Sequence, residues 1–126
     1  MPDRYGYSEP EWESGKAEMS RILRERASKG GTEGLITYGE LSQKLTSIKI
    51  GHHDNAMGAM LGQISTEEDA CGRGMLSVIV VRKHGDKQPG KGFYECAAEL
   101  GRDVTDRDRM WVDELKRVYA ESVKTN

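Results

Sequence analysis

Hydrophobic residues along the chain change period several times, and each change marks an expected element. Trp12, Met19, Ile22 and Leu23 recur at helical spacing, which predicts an amphipathic first helix. Ser8 stands where a cap is needed, Pro10 falls in the first turn, and Glu9, Glu11 and Glu13 suit the positive end of the dipole. Gly30-Gly31 stops this helix. Leu35-Ile36 is expected to be extended, followed by a second helix over 38–45 with Leu41 and Leu45 facing inward. Thr37 reads as its N-cap and Glu40 as the capping-box partner. After an irregular stretch over 46–53, a third helix is predicted over 54–64. Its buried face is Ala56, Met57, Met60, Leu61 and Ile64, and Gly58 with Ala59 permits close packing.

Residues 66–74 read as an acidic loop with a glycine exit. The near-continuous apolar run over 75–81 predicts a strand buried on both faces. Residues 82–91 read as a basic hairpin rich in glycine and proline, and 93–100 as a short helix ended by Gly101. Thr105 or Asp106 opens a last helix in which Trp111, Leu115 and Val118 recur at i, i+4 and i+7. Two helices after Thr37, then a strand, then a basic hairpin, is the layout of a winged helix-turn-helix. The expected fold is therefore α+β: one winged-helix-like domain over 9–122 with extra N- and C-terminal helices. Residues 1–8 are expected to form a flexible arm and 123–126 a frayed end.

A chain of 126 residues with 36% hydrophobic and 32% charged residues is large enough to bury a core without staples. The two cysteines, Cys71 and Cys96, form no CxxC pair and read as idle thiols of a reducing compartment. There is no apolar run of membrane-spanning length and no signal-like apolar segment at the N-terminus, so the expected location is cytoplasmic. The net charge of −2 argues against a general nucleic-acid binder, but its distribution is uneven. Arg73, Arg82, Lys83, Lys87 and Lys91 cluster with only Asp86 opposing them, while acidic residues gather at 9–13, 67–69 and 99–114.

The order of motifs resembles the DNA-binding domain of the O6-alkylguanine DNA alkyltransferases and their alkyltransferase-like relatives, over roughly residues 20–93. Ile36-Thr37-Tyr38-Gly39-Glu40-Leu41 resembles the opening of that family's helix-turn-helix, and Asn55-Ala56-Met57-Gly58-Ala59-Met60 its recognition helix. Residues 77–81 sit where the family carries its Pro-Cys-His-Arg segment, and Gly90, Gly92 and Phe93 resemble the end of its wing. Tyr38 matches the tyrosine that helps the family extrude a nucleotide. The sequence departs from the family where chemistry matters: Ser77 falls near the reactive cysteine, Val78 near its histidine, and Asn55 replaces the arginine that enters the base stack. Alkyl transfer needs a thiolate, so the resemblance implies DNA binding without that chemistry.

The expected function is thus non-catalytic nucleic-acid binding, with DNA as the partner. Arg73, Arg82, Lys83, Lys87 and Lys91 would supply phosphate contacts, with Tyr38 and Asn55 near the duplex. The competing expectation is a protein–protein interaction module on the same scaffold, since no Lys or Arg lies between Lys49 and Arg73. Adjacent His52 and His53 lack metal-ligand spacing, and the glycine-rich 85–92 stretch lacks GxxxxGK[ST]. No metal and no cofactor is expected. Trp12 and Trp111 read as packing residues, whereas Phe93-Tyr94 is the better candidate for base stacking.

Overall fold

The computed structural model describes residues 5–51, 54–83 and 88–123. The first helix, α1 (Glu9–Ala27), starts as its sequence dictates. Ser8 Oγ accepts the Glu11 N–H at 3.2 Å, and the Glu11 carboxylate accepts the Ser8 N–H at 3.2 Å. Residues 1–4 of the expected arm lie outside the described residues; just before α1, the Tyr7 hydroxyl donates to the Lys49 carbonyl, and the Tyr5 and Tyr7 rings pack on Trp12.

Strand β1 (Ile36–Thr37) leads directly into α2 (Tyr38–Lys44). Thr37 caps α2, its Oγ1 accepting the Glu40 N–H at 3.1 Å. The reciprocal half of the expected box is diverted, because the Glu40 carboxylate turns to Arg26. An ion pair to a neighbouring helix takes the carboxylate that the local motif would have used.

Helix α3 (Asn55–Ala70) runs beyond the predicted end at Ile64. Its acidic last turns are held by tertiary partners. Lys16 reaches Glu67 at 2.6 Å, and the buried Glu68 takes Arg24 at 2.5 Å and Arg73 at 2.8 Å. The acidic loop expected from residue 66 is therefore helical as far as Ala70, and the glycine ends a helix instead of a loop. Gly72 takes φ +80°, its N–H bonds the Asp69 carbonyl at 2.9 Å, and the Arg73 N–H bonds the Glu68 carbonyl at 2.9 Å.

The predicted strand over 75–81 is instead a 3₁₀ turn, Leu76–Ile79, followed by a two-residue strand, β2 (Val80–Val81). A continuous apolar run reports burial, not extension, and here burial comes from helices on several sides. The 3₁₀ turn packs against α1, α3 and the last helix, α5 (Arg107–Val123). β2 pairs in parallel with β1, Ile36 against Val80 and Thr37 against Val81. The architecture is mostly helical, with a two-stranded sheet, and belongs loosely to the α+β class.

The expected basic hairpin is likewise changed. Its described parts, 82–83 and 88–90, carry no strand, and Lys91 begins helix α4 (Lys91–Glu99) instead of ending a wing. β2 already has its partner in β1, and the Arg82 N–H closes a turn onto the Gln88 carbonyl at 2.9 Å. α4 ends at Gly101, φ +89°, with the Arg102 N–H on the Ala97 carbonyl at 2.9 Å. Asp106 caps α5, its Oδ1 accepting the Arg109 N–H at 3.1 Å. The core gathers Trp12, Met19 and Leu23 of α1, Leu41 of α2, and Met57, Met60 and Ile64 of α3 around Met75–Ile79.

Candidate nucleic-acid interface

Tyr38 is the first residue of α2, and its ring is partly buried. Its hydroxyl oxygen accepts the Gly90 N–H at 2.9 Å. A side chain at position 90 would put its Cβ 3.3 Å from that oxygen, so glycine permits the approach. Burial raises the phenol pKa above its ordinary value, with the Gly90 N–H and the nearby Arg82 charge offsetting only part of that. Tyr38 is therefore a neutral phenol that ties the start of α2 to the start of α4.

Gln88 organises the basic segment. Its carbonyl accepts from Arg82, its Oε1 accepts the Tyr94 hydroxyl at 3.0 Å, and its Nε2 donates to Asp108 Oδ1 at 2.5 Å. These bonds pin the segment to α4 and to the first turn of α5. Arg107, at the same end of α5, lies 4.9 Å from the Tyr94 ring centroid, within cation–π range. Arg82, Lys83, Lys91 and Arg107 are all exposed. Lys91 has Glu95 only at 3.9 Å. Arg107 was not among the expected contacts. It lies in the acidic stretch over 99–114, 16 positions past Lys91, and the Tyr94 ring brings it here.

Asn55 is exposed at the first position of α3, where Asp54 makes no side-chain cap bond. It lines an open groove of about 550 Å³ between α3 and α4. A smaller cavity of about 110 Å³ shares Gly58, Gly62, Gly92 and Cys96 with this groove and also touches Tyr38 and Ser77. The starts of α2 and α4 and the outer face of α3 thus converge on one region. Tyr38, Asn55 and Lys91 belong to it, and Arg82 acts on Tyr38 electrostatically.

Arg73 does not. Its guanidinium grips the buried Glu68, Nε to Oε1 at 2.8 Å and Nη2 to Oε2 at 3.1 Å, beside Arg24 and Glu121. Sequence proximity suggested a basic cluster, but the Gly72 turn directs Arg73 back along α3. Lys87 lies outside the described residues, as do His52, His53 and His84. Phe93 and Tyr94 are buried, at 7% and 4% exposure, so neither offers a face for stacking.

Ser77 is buried. Its N–H donates to Ser65 Oγ at 3.1 Å, and the two hydroxyl oxygens lie 2.7 Å apart. This hydroxyl pair includes no base to make either oxygen a nucleophile. Among the described residues, no three His, Cys, Asp or Glu side chains are grouped to hold a metal ion. None of the described helices is long and apolar enough to cross a membrane. No family model, curated protein or solved structure matches this chain.

Proposed function

We propose that the protein binds duplex DNA without reacting with it, through α2, the exposed start of α3 and the basic segment before α4. The observation that carries this reading is the Tyr38–Gly90 hydrogen bond. It ties Gly90, next to Lys91, to the start of α2, which supports phosphate contacts and base contacts serving one partner. The exposed Arg82, Lys83, Lys91 and Arg107 supply charge. Asn55, at a helix N-terminus, has an amide able to read a base edge. The order of helices resembling the alkyltransferase DNA-binding domain supports the same docking mode. Ser77, bonded to Ser65, supports the absence of alkyl transfer.

The test is fluorescence anisotropy with a labelled duplex across a salt series. Arg82, Lys83 and Lys91 are changed together to Ala. Each lost phosphate contact lowers the slope of log affinity against log salt by about 0.9, so a loss of roughly two to three in slope is expected. An unchanged slope and affinity would remove the basic segment from the interface.

A second reading, a protein-interaction module, is favoured by one observation: Glu67, Glu95 and Glu99 line the α3–α4 groove. Absence of duplex binding by the unmodified protein at low salt would make that reading the leading one.

A further inference from the structure

Tyr5 is the most exposed large hydrophobic residue among those described, at 60%. It is also the one described non-glycine residue with positive φ, at +55°. That backbone conformation is uncommon outside glycine and costs free energy. The ring is nonetheless held in a defined place. It stacks on Trp12 with centroids 5.9 Å apart and planes 24° apart. Trp12 is itself fully buried and locked, its Nε1 donating to Gln63 Oε1 at 2.9 Å. Tyr7 packs on the same indole and is fastened to the Lys49 carbonyl. An aromatic ring is thus presented to solvent on a rigid base.

Its position gives this ring a use. Tyr5 borders the α3–α4 groove together with Asn55, Gly58, Ala59 and Gly62. The short side chains leave space beside the ring, and Asn55 brings amide donors and an acceptor to the same groove. Three carboxylates also line the groove: Glu67 is paired with Lys16 at 2.6 Å, Glu95 has Lys91 at 3.9 Å, and Glu99 lies farther along α4. We infer that Tyr5 is a stacking platform for one unpaired nucleobase, held beside Asn55 when the protein is on nucleic acid. This inference rests on the DNA-binding reading and adds a preference for duplexes with an unpaired base. The ligand class follows from the chemistry: a planar, uncharged ring gains from an aromatic face whatever its sequence identity.

The probes are two labelled duplexes of the same sequence, one fully paired and one with a single bulged adenine. Stacking on an aromatic side chain is expected to favour the bulged duplex by roughly 5- to 150-fold. Tyr5→Ala should abolish that ratio while leaving affinity for the paired duplex unchanged, and Tyr5→Trp should keep it. Replacing the bulged base by 2-aminopurine should give fluorescence quenching with the unmodified protein and none with Tyr5→Ala. Equal affinity of the unmodified protein for both duplexes, or a ratio that survives Tyr5→Ala, overturns the inference and leaves the DNA-binding reading in place. Failure to bind either duplex overturns both.

Discussion

The hydroxyl of Tyr38 and the backbone N–H of Gly90, 52 positions apart in the chain, meet at 2.9 Å. That contact joins the second helix to the turn that opens α4. Tyr38→Phe keeps the ring and removes the acceptor, leaving a partly buried N–H without its partner. A stability loss of about 1–2 kcal/mol is expected, readable in urea denaturation. Faster amide exchange at Gly90 should accompany it, and weaker duplex binding should follow if the basic segment is held by this bond.

Glu18 fastens the connection after α2. Its carboxylate accepts the backbone N–H and the hydroxyl of both Thr46 and Ser47, at distances from 2.5 to 3.0 Å. Burial alone would raise its pKa, but these hydrogen bonds more than offset that and hold it at about 2, against 4.5 for a free side chain. The folded-state pKa lies below the unfolded one, so the stabilisation is fully present above pH 4.5 and fades as pH falls toward 2. Glu18→Gln should flatten stability against pH across that window in acid-denaturation series. It should also cost about 1–3 kcal/mol near neutrality.

Arg73 belongs to the charge cluster of the sequence, but in the fold it grips the buried Glu68 away from the candidate interface. Arg73→Ala removes one of two guanidinium partners from the buried Glu68, while Arg24 remains at 2.5 Å. A loss of about 1 kcal/mol is expected, modest because the Arg73 side chain is 43% exposed. Duplex affinity and salt slope should stay as in the unmodified protein. A reduced slope would return Arg73 to the interface.

Gly15 tests the packing of α1 against the loop that Glu18 holds. A Cβ there would sit 2.6 Å from Ile48 Cγ2, closer than side chains pack. Gly15→Ala is expected to destabilise by about 1–3 kcal/mol through overpacking. Combined with Ile48→Ala, which makes room, the cost should be less than the sum of the two single changes in a double-mutant cycle.

Local signals were legible where the physics is local. Ser8, Thr37 and Asp106 cap their helices with their own side-chain oxygens, and Gly72 and Gly101 end theirs by taking positive φ. Each such contact spans a few residues, so the sequence alone determines it. The buried faces of α1 and α3 follow from spacing for the same reason.

Tertiary structure decided the rest, because the deciding partner lies far along the chain. Residues 75–81 signal burial, but only the surrounding α1, α3 and α5 make them a 3₁₀ turn instead of a full strand. α3 continues past Ile64 because Lys16, Arg24 and Arg73 neutralise its acidic end. The same holds at the candidate interface. Tyr38 and Asn55 could be picked out by motif, yet Arg73 leaves the cluster for Glu68, Arg107 enters it over Tyr94, and Tyr5 is held out to solvent by Trp12. Capping and periodicity fix each helix from its own residues. Where a charge or a ring ends up depends on a packing partner that no local pattern encodes.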